Sequence, residues 1–389
     1  MLRGILDSYR MIRSNYVNRA VLTGTGLWTP RDGITNAELV DSLAQAVEAW
    51  NSENADAIAR GELEERDAPN ERFIVRASGV QHRYVIEKTG VLDPKRLRPH
   101  LPLRGEDEDS IQCEISLVAI REALKEAGRQ PEDVDAVIVA CSNLQRAYPA
   151  VAVEIQSALG AGGWAYDMNV ACSSATFGLQ AAVDAVRCGS ARCVVVVSPE
   201  ITSAHNNFEL RDYHFIFGDA CTAVIVEADD EDSPRPGWQV LGTRLQTLYS
   251  NNIRNDFGFM NRSEDAPRDA HELVFRQRGR KVFKEVCPMV AQHIESHLAD
   301  EGRSAQDLDR MWLHQANLGM NLLISKKVLG REATEAEAPV ILDEYANTSS
   351  AGSVIAFHKF KEDLAPGALG VLCSFGAGYS IGSVLLSRR

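Results

Sequence analysis

The chain has 389 residues, 45% of them hydrophobic, and a formal charge of −13. That length exceeds one ordinary core and suits about two domains or a duplicated one. The acidic balance leaves no basic footprint for nucleic acid and no electrostatic patch for a membrane, so an anionic ligand has to meet a locally basic site.

No stretch approaches the length of a membrane span, and Met1 to Tyr16 is broken by Arg3, Asp7, Arg10 and Arg13. No signal peptide is therefore expected, and the cytoplasm is the expected location. Eight cysteines are scattered without C-x-x-C spacing. Reduced, mostly structural thiols are expected, with no metal and no redox cofactor.

In chain order, Ala20 to Gly26 reads as a first strand. Asn36 to Trp50 reads as a helix capped by Thr35, with Leu39, Val40, Leu43 and Val47 on its apolar face. Residues 51–105 look like an insertion: a polar, acidic surface segment, then Phe73 to Val85 with Arg76 and Arg83, then a Pro- and Arg-rich loop from Leu92 to Arg104. A helix from Ser110 to Ala127 and a strand from Ala136 to Cys141 restore α/β alternation. Next, a strand from Ala165 to Val170 runs into Cys172, and a helix follows with Leu179, Val183 and Val186 on one face. Cys172 is thus placed at or just before a helix N-terminus, where the helix dipole favours a thiolate and free N–H groups can hold an oxyanion. The same pattern also suits a small cysteine filling a tight helix–strand contact.

The run Arg121 to Asn143 lies on Glu295 to Asn317 without a gap. Leu124, Gly128, Arg129, Asp133, Asp135 and Asn143 meet Leu298, Gly302, Arg303, Asp307, Asp309 and Asn317, each 174 positions on (317 − 143). Cys172-Ser-Ser-Ala175 then pairs with Thr348-Ser-Ser-Ala351, and Phe217-Gly218 with Phe375-Gly376, in the same order. This collinearity implies duplication. Two similar halves are expected, residues 1–232 and 233–389, joined at the Pro-rich turn Ser233 to Gly237. Near-continuous apolar strands such as Val194 to Val197 imply burial on both faces and a layered α/β/α/β/α body.

Duplication sets equivalent loop tips at one shared interface, where sites tend to form. The first half offers Cys172; the second offers His314, after the strand Arg310 to Leu313, and Asn347, before a helix around Ser353 to Phe360. Cysteine, histidine and asparagine are compatible with nucleophilic thiol chemistry.

Across nearly the whole chain the sequence resembles the β-ketoacyl-acyl-carrier-protein synthases III, condensing enzymes of the thiolase superfamily. The resemblance is carried by Asn169-Val-Ala-Cys172-Ser-Ser-Ala, Phe215-Ile-Phe-Gly218-Asp219, His314-Gln-Ala-Asn317-Leu, Asn347-Thr-Ser-Ser-Ala351 and Phe375-Gly-Ala-Gly378-Tyr. Ala346 stands where the family usually has glycine. The resemblance implies a duplicated thiolase-like fold and an acyl group carried on Cys172. It also implies that His314 and Asn347 act on malonyl-thioester decarboxylation, donating to the thioester oxygen as enolate charge develops. The oxyanion hole would be the N–H groups of Cys172 and Ala377; relatives commonly have glycine at the second position, and a φ above zero would be costly for alanine.

By the same resemblance, Phe73, Arg76 and Arg211 would flank coenzyme A, with Phe217 and Asn317 in the substrate site. Tyr148 would reach across a homodimer into the partner's acyl pocket. Lys326 and Lys327 form an expected docking patch for an acidic carrier protein, or a solvated helix face. The expected substrates are an acyl-CoA and malonyl-acyl carrier protein, with coenzyme A as a substrate thioester rather than a cofactor. Two other readings are an acyltransferase of the same fold serving secondary metabolism and a non-catalytic scaffold subunit.

Overall fold

The computed structural model describes residues 19–229 and 234–389. The Met1 to Tyr16 segment, the 232/233 boundary and Ser233 of the Pro-rich turn lie outside the described residues. Among the described residues nine strands form one mixed sheet in the order Arg310–Leu313, Leu369–Gly376, Gly378–Arg388, Trp238–Ser250, Arg19–Trp28, Ala220–Asp229, Cys193–Glu200, Ala136–Ala140 and Trp164–Met168. Read outward from the middle, the two sides mirror each other. Arg310–Leu313 runs parallel to Leu369–Gly376 as Ala136–Ala140 does to Cys193–Glu200, and the next pairings on both sides are antiparallel. The two half-sheets touch through two residue pairs, Val21 with Gln239 and Leu22 with Trp238.

Strand alternation builds the layers. Ile138 and Val196 turn inward onto a central core shared by Leu179, Val183 and Val186 of the helix Ser174–Arg187 and by Val354 and Phe357 of the helix Ala351–Lys359. Val137, Val139 and Val195 turn outward under the helices Ile111–Ala127 and Val151–Leu159. In the second half Met311, Leu313 and Val371 do the same under Gly279–Asp300 and Leu318–Leu329. Both faces of each half-sheet are therefore buried, giving the expected five layers. Burying a Val or Leu side chain contributes about 1.5–3 kcal/mol, so these shared faces carry much of the stability.

The helix Asn36–Glu53 starts where the sequence places it, because Thr35 and Glu38 complete a capping box. Together with the helix Glu71–Ser78, the strand pair Asp32–Thr35 and His82–Val85, and the segment around Phe208 to Phe217, it builds a fourth core over one end of the sheet. The acidic stretch after it forms the short helix Ala55–Ala59, which buries no side chain.

The strand Arg19–Trp28 sits hard against the helix Ile111–Ala127. A Cβ on Gly26 would lie 1.9 Å from the Ala119 carbonyl oxygen. Backbone cannot yield there as a side-chain tip would, so Gly26→Ala is expected to lower the unfolding free energy in a urea titration by about 2–3 kcal/mol. An unchanged midpoint would show that this contact is slack.

Candidate active site

Cys172 lies in a sharp turn between the strand Trp164–Met168 and the helix Ser174–Arg187. Ser174 fixes that turn: its Oγ accepts from Val170 N at 2.8 Å and donates to the Ala171 carbonyl at 2.7 Å, and Ala171 takes a left-handed φ of 48°. The second half meets the nucleophile through Gly376, where an added Cβ would stand 2.7 Å from Cys172 Cβ and 3.2 Å from Sγ. Only glycine lets the chain approach this closely. Ala377 follows at the tip of the turn, its carbonyl held by Ser380 Oγ at 2.8 Å. The left-handed angle in this turn belongs to Gly378, at 131°, so the alanine carries no such strain.

His314 follows the strand Arg310–Leu313, its backbone N–H donating to Cys373 O at 2.8 Å and its ring edge-on to Phe375 at 5.1 Å. The neighbouring Gln315 braces the loop by accepting from Ile341 N and donating to Leu313 O. His314 is buried, and among the described residues its Nδ1 has no hydrogen-bond partner. An unpaired polar atom in a folded interior points to a functional reason for keeping it there.

Asn347 is held from the first half, its N–H donating to Ile216 O at 3.0 Å and its carbonyl accepting from Gly218 N at 3.1 Å. Its side-chain Oδ1 accepts from Ser349 N at 2.9 Å, which turns the carboxamide and leaves both Nδ2 hydrogens for a ligand. The preceding Ala346 is bent to φ 56°, ψ −155°, a region natural to glycine, and Ser349 takes φ 50°. Backbone strain of about 1–3 kcal/mol per residue thus gathers on both sides of the asparagine.

The electrostatics differ from the sequence expectation. Burial pushes the Cys172 thiol up to about 11; the Glu200 carboxylate adds to this, and the Ser349 hydroxyl opposes it. Desolvation thus works against the resting thiolate that a helix N-terminus favours. Burial also takes the His314 imidazole down to about 4, the Ser349 backbone opposing. Above that pH the ring is neutral.

Glu200 escaped the reading of the sequence. It ends the strand Cys193–Glu200 fully buried, accepting from Ser142 N and Oγ at 2.9 and 2.6 Å and from Ser350 N and Oγ. The available signal was an acid directly after an apolar strand.

Cys172, His314 and Asn347 open on one cavity of about 980 Å³, together with Phe73, Arg76, Asn317 and Phe375. Its apolar walls include Phe215, Ile216, Ile253, Phe275, Val282 and Met320, and Arg280 and Lys284 supply further cations along it. Asn317 also caps the helix Leu318–Leu329 and donates to Ala77 O.

Other expected residues lie elsewhere. Phe217 is buried against His205 and Phe275 and stays off the cavity wall; its backbone bridges Asn347 instead, while Phe215 and Ile216 of the preceding turn supply the lining. Arg211 does not line the cavity; it lies over the Phe73 ring at 5.3 Å and pairs with Asp67 of the insertion at 2.7 Å. Tyr148 is 85% exposed and away from this chain's own cavity. Lys326 and Lys327 are exposed in the last turn of Leu318–Leu329, Lys326 paired with Glu332 at 2.5 Å.

A cysteine at a strand-to-helix turn, faced by a neutral imidazole and an oriented carboxamide across a duplicated α/β body, defines a thiolase-fold condensing enzyme. The pattern described as 3-oxoacyl-[acyl-carrier-protein (ACP)] synthase III matches residues 166–248, and that of its C-terminal part residues 298–388. The chain is 58% identical over 350 residues to a β-ketodecanoyl-[acyl-carrier-protein] synthase of Pseudomonas aeruginosa, covering 90% of this chain and 100% of that one. It is 28% identical over 376 residues to a β-ketoacyl-[acyl-carrier-protein] synthase III of Erythrobacter litoralis, covering 95% and 99%. The fold matches the crystal structure of 3-oxoacyl-[acyl-carrier-protein] synthase III from Aquifex aeolicus with a TM-score of 0.73 at 23% identity, covering 95% of this chain and 99% of that one. The chain belongs to the 3-oxoacyl-[acyl-carrier-protein] synthase III family and is an acyltransferase that forms carbon–carbon bonds, consistent with fatty acid biosynthesis. Among the described residues no helix is long and apolar enough to cross a membrane.

Because Glu200 helps hold the thiol protonated, Glu200→Gln is expected to move the pH profile of Cys172 alkylation by iodoacetamide to lower pH. Labelling at neutral pH then becomes faster than in the wild-type protein. A profile that stays in place would remove the carboxylate from the control of this thiol.

Proposed function

We propose that the chain condenses a medium-chain acyl-CoA with malonyl-acyl carrier protein, the primer passing through a thioester on Cys172. The observation that carries this reading is the single cavity shared by Cys172, His314 and Asn347, with the Asn347 carboxamide turned by Ser349 N. Cys172 attacks the primer carbonyl, whose oxygen would meet the N–H groups of Cys172 and Ala377, and the coenzyme A thiol leaves with the proton. Loss of carbon dioxide from the malonyl thioester then places charge on its carbonyl oxygen. A neutral imidazole N–H and the Asn347 Nδ2 hydrogens stabilise that charge without reorganising, the usual source of the largest rate term. The enolate carbon attacks the acyl-cysteine and frees the sulfur. Coenzyme A serves as substrate in this scheme, and no metal or redox cofactor takes part.

The primer length is inferred from a relative's product. The Pseudomonas aeruginosa relative is named for a ten-carbon keto product. Decarboxylative condensation adds two carbons, which makes an eight-carbon primer the candidate for this chain. The apolar walls of Phe215, Ile216, Ile253 and Phe275 support such a chain, and Arg76, Arg280 and Lys284 supply cations for the phosphates of the carrier arm.

A homodimer is supported by the strand Trp164–Met168, which ends the sheet with Tyr166 exposed. An open strand edge favours pairing with a second copy. Tyr148 stands beside it, because the helix it leads into donates from Val151 and Ala152 N to Asp167 of that strand. In this arrangement Tyr148 projects toward the partner.

Incubation with a ladder of acyl-CoA lengths and mass spectrometry of the intact protein is expected to show one added acyl group, greatest for eight carbons and absent in Cys172→Ala. Labelling that persists in the variant would exclude this cysteine, and a preference for two carbons would overturn the primer assignment. Lys326→Glu with Lys327→Glu is expected to raise the KM for malonyl-acyl carrier protein while leaving that for acyl-CoA. Equal effects on both would show that the two lysines are only a solvated helix face.

A further inference from the structure

Ser349 bonds to two of the catalytic residues and lies by the third. Its N–H orients Asn347 Oδ1 at 2.9 Å, its hydroxyl donates to Cys172 Sγ at 3.5 Å, and its backbone makes the His314 imidazole less acidic than burial alone would. It is 2% exposed and held at φ 50°, a conformation that persists only where the surroundings over-determine it. They do so through the next residue: Ser350 Oγ lies on both Glu200 and the Ala140 carbonyl, and Ser350 N lies 3.3 Å from Glu200. The hydroxyl is therefore held on the sulfur by a strained backbone pinned to the opposite half.

We propose that Ser349 is a further catalytic residue, its hydroxyl being the hydrogen-bond donor that supports the Cys172 thiolate whenever the bond between sulfur and acyl group is made or broken. The inference rests on the condensation reading above. In priming, the Sγ–carbon bond forms, the bond from carbon to the coenzyme A sulfur breaks, and the thiol proton ends on coenzyme A. In condensation, the malonyl carbon–carboxylate bond breaks and its electron pair forms the new carbon–carbon bond. The Sγ–carbon bond then breaks toward sulfur, and a solvent proton restores the thiol. Both steps pass through negative charge on Sγ.

The charges around that sulfur make a donor necessary. Glu200, whose own ionisation burial holds back, works against a thiolate there, His314 is neutral, and the buried thiols Cys141 and Cys221 feel the same carboxyl group. Ser349 is the side chain that favours the thiolate. Hydrogen bonds to charged groups contribute about 1.5–3 kcal/mol, so losing this one should slow thiolate chemistry roughly tenfold to a hundredfold.

The test compares Ser349→Ala and Ser349→Gly with wild type. Both keep the N–H that turns Asn347, and glycine accepts a φ of 50° without strain, so an effect common to both belongs to the hydroxyl. Three readouts are taken: the pH profile of Cys172 alkylation by iodoacetamide, the rate of acyl transfer from octanoyl-CoA to the protein, and primer-independent decarboxylation of malonyl-CoA. The alkylation profile is expected to move to higher pH and acylation to slow roughly tenfold to a hundredfold in both variants, with decarboxylation slowed less than acylation. An unchanged alkylation profile would overturn the proposal, as would equal losses in acylation and decarboxylation, which would mark a purely structural serine. Alkylation needs no substrate, so a wild-type protein that refuses every acyl-CoA would overturn the condensation reading and still leave the role of the hydroxyl decided.

Discussion

The enzyme depends on one loop of the second half, Asn347 to Ser350, being seated on the strand ends of the first. Asn347 is bonded on both sides to the Ile216–Gly218 backbone, Ser349 reaches Cys172, and Ser350 is fastened to Glu200 and Ala140. Each contact crosses between the halves. The loop achieves this with positive-φ backbone at Ser349 and at Ala346 just before it, strain that is held by the polar bonds around it. Cavity, nucleophile and donors converge because this seat exists.

Charge at the site follows from the same seat. Glu200 can remain buried because Ser142 and Ser350 supply backbone and hydroxyl donors from opposite halves. Its carboxylate helps keep the resting sulfur protonated, and desolvation keeps His314 neutral. A protonated thiol resists adventitious alkylation and oxidation, since the thiolate is the reactive form. A neutral imidazole keeps a proton to share with a developing enolate.

Much of this was legible in the chain. The capping pair Thr35 and Glu38 marked one helix, and the collinear repeat placed His314 and Asn347 at corresponding tips. Local pattern sufficed there because capping and period are properties of neighbouring residues. Phe217, Glu200 and Ser349 were not legible as to role. Phe217 belongs to a motif at the site, yet it leaves a turn with its ring in the core and only its backbone serving Asn347, a geometry no periodicity in the sequence announces. The Ser349–Cys172 and Ser350–Glu200 contacts span 177 and 150 positions, beyond any local signal. The opposing influences on the thiol are of the same long-range kind: the helix terminus is visible in sequence, whereas the depth of burial and the distant Glu200 carboxyl are not.

The two half-sheets join at Val21–Gln239 and Leu22–Trp238. Sulfur is supplied from one side of that seam and imidazole with carboxamide from the other. Each half buries its outer helices in a core of its own, so secondary structure and chemistry have different tolerances. A small rotation about the seam leaves every helix intact and still separates nucleophile from donors. In such a body turnover is the most delicate gauge of how the halves are aligned, and a spectroscopic signal of helix content is a blunt one.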